Sequence, residues 1–337
     1  MKPVVLLKPE PQRSSRIFTA ADRARLEAEF EVVDLEGDDS VERLDAALPS
    51  AFAVVGHPDL DAARLAAAAS LRAIVNVEGN FLPNVDYDTA FRRGIRVLGV
   101  GSAYAQAVAE FSLGLALDLA RGITREDRAA RAGRERYVSA GTGDSILLAG
   151  AEIALLGLGN LGRALLPLLA PLRPSVRVYD PWLPSSVISA AGARPAGLLE
   201  AVDGADVVFV LAAATTESAH LVDARVLDAL KPGCRLVIVS RAAVVDFDAL
   251  LAALRERDLF AAIDVWPEEP IPATSPFREL DNVVISPHRA GGIPAAFHQI
   301  GEMVVDDLVL MKNGLSPVRL QAAQPELVGR YRNRPVT

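Results

Sequence analysis

Cysteine is almost absent from this chain: Cys234 is the only one in 337 residues. One thiol closes no internal disulfide and builds no thiolate metal centre, so a reducing cytoplasm is the expected compartment. Aromatic residues make up only 5%, and Lys and Arg (35) are outnumbered by Asp and Glu (43), for a formal net charge of −8. With a pI of about 5.2, the chain carries no basic footprint for nucleic acid. Long apolar runs are missing as well. Ala103–Ala120 is interrupted by Gln106, Glu110 and Asp118, too many polar groups for a spanning helix. Val4–Leu7, closed by Lys8 and Pro9, is too short for the apolar core of a signal peptide. No His, Asp and Glu cluster has metal-ligand spacing, and no Gly-x-Ser-x-Gly elbow occurs. No metal is therefore expected. What is present is a globular composition, 51% hydrophobic and 23% charged, long enough for about two domains with cores of their own.

The first hundred residues alternate short Val- and Ile-rich runs with helical stretches. Pro3–Leu7, Glu31–Leu35, Phe52–Gly56, Ala73–Val77 and Ile95–Leu98 read as buried strands. Ala20–Phe30, Ser40–Leu48, Asp61–Ser70 and Asp86–Arg93 read as helices, with Ser40 and Asp86 at N-cap positions. This alternation requires a parallel sheet covered on both faces. A longer amphipathic helix, Ala103–Arg121, leads through the charge-dense Arg125–Arg136 to a second unit of the same kind. Its strands are expected at Ile153–Leu156, Val176–Tyr179, Asp206–Leu211, Arg235–Val239, Ala261–Val265 and Val283–Ser286, and its helices include Leu161–Leu169, Ala224–Leu230 and Phe247–Arg255. Pro294–Asn313 reads as a last helix and the tail from Gln321 as extended.

The strongest single motif is Gly157-Leu158-Gly159-Asn160-Leu161-Gly162, between a strand and a helix. The three glycines suit a tight turn, a close backbone approach to a pyrophosphate, and close helix–strand packing, while the helix N-terminus offers N–H groups to phosphate. Asp180 ends the next strand, eighteen residues after Gly162, close to the spacing of about 20 at which a carboxylate binds the adenosine ribose. A negative charge there repels a 2′-phosphate, so NAD is expected rather than NADP. Three charged residues then follow strand ends: Arg241, Glu269 in Trp266-Pro-Glu-Glu-Pro270, and His288 in Ser286-Pro-His-Arg-Ala-Gly291. In open α/β sheets, ligands bind at the carboxyl ends of strands, where all three can converge.

The ordered set of motifs resembles the D-isomer-specific 2-hydroxyacid dehydrogenases. It comprises Gly157-Leu-Gly-Asn-Leu-Gly-Arg163, Tyr179-Asp-Pro181, Lys231-Pro-Gly233, Val239-Ser-Arg-Ala-Ala-Val-Val-Asp246, Asp264-Val-Trp-Pro-Glu-Glu-Pro270 and Ser286-Pro-His-Arg-Ala-Gly291. The resemblance implies two doubly wound parallel-sheet domains with a cleft between them. A flavodoxin-like substrate domain (1–101 and 291–337) would be interrupted by a Rossmann NAD-binding domain (102–290). It also implies a cytoplasmic homodimer that reversibly reduces a small 2-keto acid to a D-2-hydroxy acid with NAD. Arg241 would clamp the substrate carboxylate and carbonyl oxygen. His288 would be the general acid, and Glu269 would hydrogen-bond it and favour its charged form. Asp264 and the Ser240 carbonyl would face the nicotinamide carboxamide. Ala212, in Leu211-Ala-Ala-Ala-Thr215, and Gly291 would complete the cofactor contacts. Val77, Glu78 and Gly79 would meet the substrate beside Arg241 and His288.

The chain departs from the family pattern at three points. Ala242 replaces the usual glycine after Arg241, the stretch after Leu211 lacks its proline, and the substrate loop reads Asn76-Val-Glu-Gly-Asn-Phe-Leu-Pro83. Glu78 there brings a negative charge toward an anionic substrate, or turns away, and Phe81 and Leu82 offer apolar contact. Arg13 and Arg16 read as solvated, with a cation for a second acidic group of the substrate as the alternative, and His57 as a loop histidine, with a place at the edge of the cleft as the alternative. Two other readings stand beside the enzyme: a non-catalytic, corepressor-like NAD(H) sensor, and a formate or phosphite dehydrogenase. Glu269 disfavours the formate option, because formate dehydrogenases pair the histidine with Gln.

Overall fold

The computed structural model describes residues 2–38, 40–137 and 142–330, the side chain of Leu327 excepted. Two compact units emerge, Met1–Tyr104 with Gly292–Thr337, and Ala105–Gly291.

In the first unit, β1 (Val4–Lys8), β2 (Glu31–Asp34), β3 (Ala51–Gly56), β4 (Ala73–Asn76) and β5 (Arg96–Gly99) form a parallel sheet in the order β5-β4-β3-β1-β2. The strands are apolar on both faces. Val5, Leu7, Ala53, Val55, Ala73 and Val75 pack with Leu26, Ile300, Val304 and Leu308. Leu6, Val54 and Ile74 pack on the other side with Leu44, Leu65 and Ala90. Period-2 alternation thus feeds two apolar layers, as a parallel sheet covered by helices demands. The covering helices start where the sequence supplies oxygen caps: Ser40, Asp61 and Asp86 each accept from a backbone N–H three residues on, at 3.2, 2.8 and 2.8 Å. Because β1 and β3 are neighbours while β2 and β4 lie to opposite sides, the sheet reverses direction between β1 and β3.

In the second unit, β6 (Glu152–Leu156), β7 (Ser175–Tyr179), β8 (Arg194–Pro195), β9 (Val207–Val210), β10 (Cys234–Ile238), β11 (Leu259–Ile263) and β12 (Val283–Ile285) form a seven-stranded parallel sheet. Its order is β12-β11-β10-β9-β6-β7-β8. The switch point falls between β6 and β9. Pro195, which cannot donate to a ladder, sits on the edge strand. Cys234 is fully buried at the start of β10, and burial pushes its thiol up to about 12.

The chain then re-enters the first unit as helix Pro294–Lys312 and the two-residue strand β13 (Gln321–Ala322), antiparallel to β5. The tail, expected to be extended from Gln321 on, pairs with β5 and forms a short helix at Pro325–Val328; residues 331–337 lie outside the described residues. Asp307, fully buried on the last long helix, accepts from the backbone N–H groups of Val318 (2.9 Å), Arg319 (3.0 Å) and Leu320 (2.7 Å). These bonds fasten the segment that leads to β13. Asp307→Ala leaves three backbone donors without their acceptor, the buried Leu320 N–H among them, and is expected to cost about 1–3 kcal/mol in urea unfolding. No helix among the described residues is long and apolar enough to cross a membrane.

Candidate active site

The glycine-rich turn leaves β6 at the switch point of the second sheet. Gly157 has φ +103°, and a Cβ there would lie 2.9 Å from the backbone N and Cα of Ala212, just beyond β9. A Cβ on Gly162 would stand 2.7 Å from the Gly157 carbonyl oxygen. A Cβ on Gly159 would meet nothing within 4 Å. The first and third glycines are therefore required by packing, while the second opens onto space. Gly159 also caps helix Asn160–Leu169 without a side chain, so the positive helix end, which opens with Asn160 and Leu161, lies beside that space. Asp180, one residue past β7, accepts from Leu158 N at 2.8 Å and from Trp182 N at 3.0 Å. One oxygen anchors the glycine turn and the other its own loop, and each keeps a second lone pair for an incoming hydroxyl.

Arg241, Glu269 and His288 follow β10, β11 and β12, three adjacent strands, at their carboxyl ends. His288 Nδ1 lies 2.8 Å from Glu269 Oε2, both side chains about 30% exposed. Glu269 Oε1 accepts from Trp266 N at 3.0 Å. The indole of Trp266 donates to the Ser286 carbonyl at 2.9 Å and packs edge-on against Phe277. Trp266 thus binds Glu269 directly and the chain two residues before His288. His288 itself has φ +51°, a left-handed conformation costing a non-glycine residue of order 1–3 kcal/mol. Asp264 sustains it. The His288 N–H donates to the Asp264 carbonyl (2.9 Å), while the Asp264 carboxylate accepts from Ser286 Oγ, Arg289 N (2.8 Å) and Ala290 N (3.0 Å). Asp264 is 1% exposed, so its carboxylate serves the histidine turn, which ends at the half-buried Gly291. Arg241 donates from Nη1 to the Ser240 carbonyl at 2.7 Å. The Ser240 hydroxyl is buried and finds no hydrogen-bond partner among the described residues.

Val77, Glu78 and Gly79 lie in the first unit, just past β4. Val77 and Glu78 are buried, and their N–H groups donate to His57 Nε2 at 3.1 and 3.3 Å. Tyr104 donates to the Val77 carbonyl at 3.0 Å. Phe81 and Leu82, expected to offer apolar contact to a substrate, are instead buried in this unit, with Phe81 in the core on Ile74 and Val97. Arg16 lies over the Phe297 ring, 4.0 Å from its centroid. His57, read from its position directly after β3 as a loop histidine, instead holds the start of this loop.

A seven-stranded parallel sheet with a glycine-lined helix N-terminus at its switch point defines a dinucleotide-binding α/β domain. Residues 113–290 match the family model described as "D-isomer specific 2-hydroxyacid dehydrogenase, NAD binding domain". A glyoxylate reductase of Thermofilum pendens is 31% identical over 270 residues, covering 77% of this chain and 78% of that protein. A D-3-phosphoglycerate dehydrogenase of Archaeoglobus fulgidus is 30% identical over 279 residues, covering 82% of this chain and 52% of that one. The chain therefore spans about half the length of that phosphoglycerate dehydrogenase. The crystal structure of a phosphoglycerate oxidoreductase from Rhizobium etli superposes with a TM-score of 0.86 at 40% identity, covering 96% of this chain and 99% of that one. The chain belongs to the D-isomer-specific 2-hydroxyacid dehydrogenase family, and its cofactor is NAD. The cradle fits that group: open space at Gly159, a helix N-terminus beside it, a carboxylate at Asp180 and an orphaned buried hydroxyl at Ser240.

Proposed function

We propose that this protein catalyses the reversible, NAD-dependent reduction of a 2-keto acid to a D-2-hydroxy acid, with residues 105–291 holding the cofactor and the remaining residues carrying the substrate loop. The observation that carries this reading is the 2.8 Å pair of His288 Nδ1 and Glu269 Oε2 beside Arg241 on one sheet edge. With Nδ1 turned to a carboxylate, Nε2 is the ring nitrogen that faces a substrate. It gives its proton to the carbonyl oxygen during reduction and takes it back during oxidation, and Glu269 stabilises the charged ring. Arg241 offers a planar fork to the carboxylate and the carbonyl oxygen, drawing electron density from the carbon under attack. Bound NADH supplies the hydride. The names of the relatives, glyoxylate reductase and phosphoglycerate dehydrogenase, support small 2-oxo and 2-hydroxy acids as the substrate class.

An NADH-oxidation screen tests this reading. It would cover glyoxylate, hydroxypyruvate, pyruvate, 2-ketoglutarate, aromatic keto acids and phosphonopyruvate. Turnover of one or more is expected. NADH binding with no turnover across the panel would overturn the reading in favour of a sensor.

Asp180 governs the choice between NAD and NADP. Its carboxylate is pinned from two sides, so it cannot swing away from a 2′-phosphate, and that like-charge encounter costs several kcal/mol. Asp180→Ser is expected to lower the NAD-over-NADP ratio of kcat/KM by about two orders of magnitude, mostly through KM.

A further inference from the structure

His57 occupies the switch point of the first sheet, the place in an open α/β sheet where ligands collect. Gly56, the last residue of β3, has φ +130°, and a Cβ there would fall 1.7 Å from the Lys8 carbonyl oxygen at the end of β1. Only glycine lets the chain leave β3 so close to β1. His57 is delivered against the loop after β1. Its N–H donates to Lys8 O at 3.0 Å, and its Nδ1 lies 3.0 Å from Glu10 O. From the far side, Val77 N and Glu78 N both reach Nε2.

These partners fix the protonation of the ring. A carbonyl oxygen cannot donate, so Nδ1 carries the hydrogen. Two N–H groups cannot accept, so Nε2 carries the lone pair. The ring is the neutral Nδ1–H tautomer, and it ties residues 10, 57 and 77–78 together. We infer that His57 is a positioning residue of the substrate loop: as a neutral acceptor it sets the two peptide planes leading into Gly79, and it releases them when protonated.

The inference rests on the proposed reading that this loop meets the carboxylate of a keto acid. Burial pushes the His57 imidazole below its usual range, against the Glu10 carbonyl and the carboxylates of Glu78 and Glu10, which favour the charged form. The charged groups facing it are therefore Glu10 from the loop after β1 and Glu78 from the loop after β4. Lys8 of β1 lies 3.6 Å from the Glu10 carboxylate. Near neutral pH the clasp is closed; acid opens it.

Two readouts on the full chain test this. The first is nitrogen-15 NMR of histidine-labelled protein, simple because the chain has only 4 histidines. The His57 ring is expected as Nδ1–H at neutral pH, with the Val77 and Glu78 amide protons shifting along its titration. An Nε2–H ring, or amides indifferent to that titration, overturns the clasp. The second uses steady-state kinetics with a keto acid found in the screen. His57→Ala is expected to raise KM about tenfold, the loss of one or two hydrogen bonds, with a much smaller change in kcat. His57→Gln keeps an acceptor that does not titrate. It should recover most of the KM and remove the acid-side fall in kcat/KM expected of the wild type. A wild-type KM and an unchanged acid limb in both variants would overturn the inference. If the wild type turns over no keto acid, the functional reading fails and the NMR readout alone decides the clasp.

Discussion

His288→Ala is expected to lower kcat for keto-acid reduction by about two to four orders of magnitude, the usual weight of a positioned acid. The ring is held at Nδ1 by Glu269, the backbone sits in a left-handed conformation sustained by Asp264, and Trp266 ties the pair to the Ser286 carbonyl. If His288 were only a structural turn, His288→Ala would leave turnover within a few-fold of wild type, because alanine keeps the Cβ and so the same left-handed strain. Glu269→Gln keeps a hydrogen-bonding group but not the charge that stabilises imidazolium. A smaller loss in kcat, about tenfold to a hundredfold, is expected. NADH binding, which we assign to the Gly157–Gly162 turn, should persist in both variants, and fluorescence quenching checks it.

Arg241→Ala is expected to lower kcat/KM by about three orders of magnitude. The lost interaction combines a charge-assisted, forked contact to the substrate carboxylate with stabilisation of charge developing on the carbonyl oxygen. Arg241→Lys should recover only a small part, because an ammonium is a point charge without the planar fork. A surface arginine would tolerate either change within a few-fold, so the lysine variant separates the two roles. Stopped-flow measurement of NADH oxidation under single-turnover conditions places the loss in binding or in the chemical step.

Much of this was legible in the sequence because the signals are local. Strands of a doubly wound sheet are short runs of Val, Ile, Leu and Ala bounded by turns. Eleven observed strands fall within a residue or two of the expected ones, from Val4–Lys8 to Val283–Ile285, while the two-residue strands Arg194–Pro195 and Gln321–Ala322 were not read as strands. The glycine turn, Asp180 and the Arg241, Glu269 and His288 positions could be read because each lies directly after such a strand. Elements without an apolar face were not visible. Helix Ile123–Arg131 buries no residue and showed only as dense charge, and the short helices Ser185–Ala190 and Leu198–Val202 fell between strand signals.

Long-range partners were out of reach for a different reason. Glu10, His57 and Val77 meet because β1, β3 and β4 are neighbours in the sheet, and strand order is not encoded in periodicity. The same holds for Asp180 reaching Leu158, and for the Asp264 carboxylate, which the family resemblance turned toward the nicotinamide and which here holds the 286–290 segment. In the second half of the loop after β4, read as apolar contact for a substrate, Phe81 and Leu82 turn inward, and Tyr87, with its hydroxyl pushed up to about 12 by burial, donates to the Leu82 carbonyl at 2.6 Å. Apolar residues in a loop pack where the core has room, and sequence spacing does not report that room.

We propose that this chain moves a hydride between NAD and C2 of a small acid, with His288 handling the proton. Deuteride transfer tests it most directly. The protein would be incubated with NADH deuterated at C4 and the keto acid that the screen identifies, and the product analysed by mass spectrometry and chiral chromatography. The account predicts one deuterium at C2 of a D-2-hydroxy acid, formed in equal amount to the NADH consumed, and almost none formed by His288→Ala. Product without deuterium at C2, product of the L configuration, or full turnover by His288→Ala would contradict it.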